Sequence, residues 1–251
     1  MNRTRATDVA TNGSVIALLW LFYSAVRSVT HGAEQVAHEN AELVRAFQER
    51  LGLAIEPALQ QLFLTELVGS FANVYYLLHF PLTVGLLIIT FLTSRRHLFP
   101  ILRDSLVIMT LVGLVVHVIF PLAPPRKLTG IVDAPALYGP NPYDLPGGDA
   151  ANQLAAMPSM HVAWAIALGW ALFHVRGKRH LWIVAVAHPL ITLFVVLVTG
   201  HHFLADVIAG SLVAIAAIGL VWLVHGRPAA LARDRQRETG KLESLHTLST
   251  S

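Results

Sequence analysis

Three short segments of this chain carry the residue types from which acid–base and nucleophilic chemistry is built. In Thr199-Gly200-His201-His202-Phe203-Leu204-Ala205-Asp206, His202 and Asp206 stand four residues apart. On a helix that spacing puts them on one face, where the carboxylate can accept the imidazole Nδ1 proton and leave Nε2 as a nucleophile. In Ala156-Met157-Pro158-Ser159-Met160-His161, Ser159 is set to cap a following helix. The unpaired N–H groups and positive end of that helix form an anion site. His161 falls in its first turn, beside any phosphate bound there, and an imidazole so placed can protonate a leaving oxygen, an effect of ~10²- to 10⁴-fold in rate. In Phe120-Pro121-Leu122-Ala123-Pro124-Pro125-Arg126-Lys127, prolines stiffen a turn bearing two adjacent cations. The planar fork of Arg126 matches phosphate oxygens, and Lys127 adds a second charge.

Taken singly, each segment also has a structural reading. Arg126 and Lys127 can anchor a helix end among lipid headgroups, Ser159 and His161 can be a cap beside a solvated imidazole, and His202 with Asp206 can be a hydrogen bond or salt bridge joining helices. Taken together they favour catalysis. A phosphohistidine mechanism needs a nucleophile of fixed tautomer, an acid opposite it and donors around three equatorial oxygens, and the three segments offer all of these. Asp206 also needs an explanation, because an ionised carboxylate costs roughly 2.5 to 3.5 kcal/mol at the centre of a spanning helix, less near the interface.

The elements that must position these residues are apolar. The 251 residues are 55% hydrophobic and 13% charged, with a mean hydropathy of +0.59, outside the balance of a soluble domain. Apolar runs fall at Ser14 to Val29, Leu67 to Leu92, Ser105 to Leu122, Ser159 to Val175, Leu181 to Val198 and Phe203 to Val224. Each is near the ~20 residues a helix needs to cross a bilayer. The sequence therefore predicts an all-α, six-transmembrane helical bundle, with residues 1–225 as one membrane-embedded catalytic domain and 226–251 as a polar cytoplasmic tail. The first run follows a basic start and is read as an uncleaved helix rather than a signal peptide. With the N-terminus in the cytoplasm, 13 of the 18 Lys and Arg residues lie inside, in clusters around Arg3, Arg95, Arg176 and Arg227, as the positive-inside rule expects. All three chemical segments then lie at the outer face. Between the first two spans, Val36, Leu43, Val44, Phe47 and Leu51 recur at helical spacing, which predicts an amphipathic helix on the outer surface, a packing helix or lid. Ala123 to Met157, broken by repeated Pro and Gly, reads as a long irregular outer loop.

The order Pro-Pro-Arg, Pro-Ser-x-His and Gly-His-His-x3-Asp-x3-Gly, on successive outer ends of a six-helix chain, resembles the type 2 phosphatidic acid phosphatase superfamily. It is most similar to the inositol phosphorylceramide synthase-like branch, and the likeness runs from about Phe120 to Gly210. The resemblance implies metal-independent phosphoryl transfer. It assigns His202 to the nucleophile, Asp206 to its orienting carboxylate, His161 to the acid for the leaving group, and Ser159 and Arg126 to the phosphate. Three departures set the chain apart from the phosphatase branch. Met160 stands where that branch has Gly, Val195 and Val196 replace a Ser-Arg pair, and Ile119 replaces a Lys upstream of the first motif. The implied phosphate pocket is less cationic, with Lys127 the available substitute.

Two acceptors fit these residues. Water would make the protein a lipid phosphatase, and an alcohol on an inositol- or sugar-bearing lipid would make it a phosphotransferase. Rival classes are a membrane metalloprotein using His161, His201, His202 and Asp206, which Arg126 and Lys127 oppose, and a non-catalytic transporter or scaffold. No cofactor or metal is expected. The partners expected are a lipid phosphate and membrane lipids, not nucleic acid, because the basic residues form no continuous stripe. The absence of cysteine excludes disulfides and thiol chemistry, and high Ala and Arg usage points to a bacterial cell membrane. Asn73, Tyr75, Tyr76 and His79 are expected to make interhelical hydrogen bonds, and His117, Trp164, Trp170, His174 and His188 to pack.

Overall fold

The computed structural model describes residues 32–93, 99–141, 144, 152–174 and 181–225. The first apolar run and the polar tail lie outside these residues. Eight α-helices are formed among them: α1 (Glu34–Arg50), α2 (Glu56–Phe63), α3 (Glu66–Thr93), α4 (Phe99–Ile119), α5 (Ala134–Tyr138), α6 (Met160–Phe173), α7 (Leu181–Val198) and α8 (Leu204–His225). A 3-10 turn covers Pro125–Lys127. The only extended pairing among the described residues is an isolated parallel bridge between Leu122 and Ala155. Pro100–Ile119, Leu181–Val198 and Leu204–His225 are long and apolar enough to cross a membrane, and Met160–Phe173 is a shorter apolar helix.

The short α6 is the hub. Ala163, Ala167 and Ala171 repeat every fourth residue, are fully buried, and pack with Ala214, Ala217 and Ile218 of α8 and with Leu102 and Met109 of α4. Lipid supplies little hydrophobic drive between helices, so association relies on close backbone approach, which small residues permit. On another face, a Cβ at Gly169 would run into the Ala185 carbonyl oxygen of α7. Pro189 has no N–H to offer that carbonyl, and Gly169 lets α6 close over the defect. α3 lies across α6 and α7 and is tied to α7 by the Tyr75 hydroxyl, 2.7 Å from His188 Nδ1 and 2.8 Å from Thr192 Oγ1. Each such bond is worth about 0.6 kcal/mol in a membrane.

Two sequence expectations change. α1 does form, but it buries Ala37, Ala41, Val44 and Gln48, whereas Val36, Leu43, Phe47 and Leu51 are at least half exposed. Small residues form the contact because α1 closes on backbone: Ala123 N–H donates to the Ala37 carbonyl at 3.0 Å. The apolar stripe that the spacing singled out is a second, outward face beside the packed one. The segment read as wholly irregular also contains structure. Asp133 caps α5 by accepting from the Ala136 N–H, Tyr138 packs where Gly69 of α3 lacks a side chain, and Asn73 donates to the Ala134 carbonyl at 2.9 Å.

Candidate active site

Backbone hydrogen bonds stitch the three chemical segments to one another. Leu122 donates to Leu154 at 2.8 Å and Ala156 to Leu122 at 3.1 Å, joining the Pro-Pro-Arg segment to the one before α6. Arg126 N–H donates to the Gly200 carbonyl at 2.9 Å, and Ser159 N–H to the Asp206 carbonyl at 3.0 Å. Segments separated by dozens of residues thus converge on one end of the bundle. Gly200 makes the first of these approaches possible, with a φ of +72° that favours glycine and with Arg126 Cβ only 2.9 Å from where its own Cβ would stand. Gly210 serves the second, since a Cβ there would collide with the Ser159 backbone.

His202 is buried just before α8, and its Nδ1 lies 2.8 Å from the Ala156 carbonyl. A carbonyl only accepts, so Nδ1 carries the proton and Nε2 keeps its lone pair. Asp206 Oδ2 stands farther off, 3.5 Å from the same nitrogen. The i, i+4 spacing led to the expectation that the carboxylate is the principal partner. Because α8 begins only at Leu204, His202 precedes the helix, and Oδ2 accepts the Phe203 N–H at 2.8 Å instead. Asp206 has no exposed surface and places its carboxyl group beside the ring.

Ser159 caps α6, its Oγ accepting from the Val162 N–H at 3.5 Å. Its backbone is extended and its side chain fully buried, so the positive end of α6 faces the site. Met160 turns away. Its sulfur fills the space over Gly113 of α4, where a Cβ would collide with it, so a bulky residue between Ser159 and His161 is absorbed by helix packing. In the next position the His161 ring reaches the His202 ring, with centroids 5.7 Å apart and planes at 60°. The two imidazoles stand at the same end of the bundle.

Arg126 is buried, with Nε 3.8 Å from Asp133 Oδ2 and a terminal nitrogen 3.4 Å from Gln153 Oε1. Lys127 is exposed at the end of the 3-10 turn. Val195 and Val196, which stand in place of the Ser-Arg pair, are both 1% exposed and packed in the core, and Ile119 is largely exposed. Arg126 is therefore the buried cation of this group.

Other residues meet at the site that were not expected from sequence to take part in phosphoryl transfer: Tyr76 and His79 were expected to make interhelical hydrogen bonds, and His201 was placed only in the metalloprotein alternative. Tyr76 of α3 stacks on His161 at 4.3 Å and on His201 at 3.6 Å between centroids. His79 lies 5.1 Å from His161 and 5.4 Å from His188. The available signal was the clustering of Tyr75 and Tyr76 with His79 about one turn on, in an apolar run, but the helix they face is not readable from spacing. His201 points its Nδ1 at Thr199 Oγ1, 2.7 Å away, and Thr199 in turn donates to the Val195 carbonyl. Burial pushes the His201 pKa well below its ordinary value, and the neighbouring Arg126 cation acts in the same direction, so both favour the neutral ring. Among the described residues, no three His, Asp or Glu side chains form a group able to hold a metal ion.

The sequence model of the PAP2 superfamily matches residues 42–220, from within α1 to near the end of α8. No curated protein and no solved structure matches the chain.

Proposed function

The chain belongs to the PAP2 superfamily, and from that premise we propose that it transfers the phosphoryl group of a lipid phosphate through a phosphohistidine. His202 Nε2 attacks phosphorus while the bond to the leaving oxygen breaks. His161 gives that oxygen its proton, and the Ala156 carbonyl and Asp206 together stabilise the positive charge on the His202 ring. Arg126 and the Ser159 end of α6 hold the equatorial oxygens. Water then attacks the phosphohistidine, His161 takes back a proton, the P–N bond breaks, and phosphate leaves. The observation that carries this reading is the pairing of His161 and His202, 5.7 Å apart, on two helix starts joined through Ser159 and Asp206.

An alcohol acceptor gives the phosphotransferase version of the same cycle. It is favoured by the synthase-like features, namely Met160 seated on Gly113 and the apolar Val195–Val196 pair in the core. The proposal includes six spans, cytoplasmic termini and a site at the outer face of a bacterial membrane. Purified protein incubated with radiolabelled phosphatidic acid and quenched in alkali, where phosphohistidine survives, should retain label. His202→Ala should retain none. Equal label in the two proteins would remove His202 from the mechanism. Release of inorganic phosphate identifies water as acceptor, and label appearing only in a new lipid identifies an alcohol.

A further inference from the structure

A buried polar pair from α1 and α2 touches the segment that carries His202 and Asp206. Gln48, in the last turn of α1, is 1% exposed, and Glu56, at the start of α2, is 2% exposed. Gln48 Nε2 donates to both Glu56 oxygens, at 3.0 and 3.2 Å. Glu56 Oε1 accepts the Leu204 N–H at 2.6 Å and Gln48 Oε1 accepts the Ala205 N–H at 2.7 Å. With Asp206 Oδ2 on the Phe203 N–H, three consecutive N–H groups at the start of α8 are each met by a side chain.

This arrangement is unusual for a helix start. The first N–H groups of a helix have no intrahelical partner, and a local Ser, Thr, Asp or Asn at the N-cap ordinarily satisfies one of them. Here the N-cap position is Phe203, whose ring accepts nothing, and the residue before it is the nucleophile. Asp206, the third helical residue, does reach back to the Phe203 N–H, which is one half of a capping box. The other half is missing, and its duty passes to residues 148 and 157 positions earlier in the chain. A buried carboxylate is costly unless it is hydrogen-bonded, and at a helix N-terminus the dipole favours it.

We infer that Glu56 and Gln48 are positioning residues, which fix the first turn of α8 and thereby hold His202 and Asp206 in line with His161. The clamp replaces the cap that the catalytic His-Phe pair cannot supply. It also uses the α1–α2 hairpin as a brace rather than a lid. The inference rests on the proposed chemistry for one of its two readouts only.

The test uses the full chain, purified, with Glu56→Ala, Gln48→Ala, Glu56→Gln and the double alanine variant. Misplacement of a nucleophile by about 1 Å costs on the order of 100-fold, so Glu56→Ala should slow phosphoprotein formation by ~10- to 100-fold while KM for phosphatidic acid changes less than about twofold. Amide hydrogen exchange at residues 203–206 should quicken in parallel. Glu56→Gln keeps the Oε1 acceptor for Leu204 and should recover most of the rate. The double variant should be little worse than Glu56→Ala, because one clamp can be opened only once. Unaltered rate and exchange in Glu56→Ala, a loss confined to KM, or a Glu56→Gln variant as impaired as alanine would each overturn the inference. Should Glu56→Ala fail to fold, Gln48→Ala is held to the same exchange and KM criteria, and Glu56→Gln is still expected to stay close to wild type. A wild-type protein that traps no label would count against the proposed chemistry. Exchange at 203–206 would then decide the clamp alone, and unaltered exchange in Gln48→Ala would overturn it.

Discussion

At the scale of single residues, Arg126 and Lys127 show how two adjacent cations diverge. Arg126 is buried between Asp133 and Gln153, while Lys127 is exposed. A buried guanidinium in a fixed fork can hold phosphate oxygens at a hydrogen-bonding distance, whereas an exposed ammonium gains about 0 to 1 kcal/mol from any ion pair. Arg126→Ala should therefore lower kcat/KM by ~10²-fold or more, and Lys127→Ala by less than about fivefold, measured as phosphate release or lipid product. Arg126→Lys should not restore the rate, because a point charge does not reproduce the fork. The His202 tautomer also belongs to this scale. A backbone carbonyl sets it at 2.8 Å, so Asp206→Asn should retain the ring's orientation and lose mainly the charge that stabilises the imidazolium, lowering turnover without abolishing label in the trapped protein.

At the scale of elements, two glycines decide where helices meet. Gly210 lies one turn after Asp206, and its missing side chain is what lets α8 approach the Ser159 backbone, where the Ser159 N–H meets the Asp206 carbonyl. Gly210→Ala should separate the starts of α6 and α8, lower the melting temperature and reduce activity. The partner atoms are backbone and cannot rotate away, and overpacking of this kind costs about 1 to 3 kcal/mol. Met160 over Gly113 is the converse case. Met160→Gly should destabilise the α4–α6 contact, by less than the roughly 2 to 5 kcal/mol of a fully buried methionine because Met160 is only partly buried, while leaving the polar atoms of the site in place. An increase in stability would show that Met160 is strained rather than packed.

At the scale of the whole molecule, the contacts put the chemical segments at one end and the Arg103, Asp104 and His225 group at the other. His225 Nε2 lies 2.9 Å from Asp104 Oδ2, joining the start of α4 to the end of α8. In the proposed topology, which rests on the cation distribution, the first end faces the outside and the second the cytoplasm. The chain contains no cysteine, so single replacements report topology without background. Lys127→Cys should react with an impermeant maleimide added to intact cells, and His225→Cys should react only after the membrane is opened. The reverse pattern would invert the proposed topology. The outward stripe of α1, with Val36, Leu43 and Phe47 exposed beside its packed face, suits a helix that rests on protein on one side and on the lipid interface on another.

The sequence by itself determined the apolar helices, the candidate catalytic types and the cap at Ser159, because these depend on local composition, short spacing and residue chemistry. It also marked Gly200 and Gly210 as parts of a motif without saying what they approach. Only the tertiary structure decided that Ala156 holds His202, that α1 buries Ala37, Ala41, Val44 and Gln48, that Tyr76 stacks on His161, and that Glu56 and Gln48 cap a helix 148 and 157 residues away. Each of those contacts joins residues far apart in the chain. Side-chain periodicity reports which face of a helix is apolar, but not which partner covers it, and the position of His202 before rather than within α8 depends on where the distant caps allow that helix to begin.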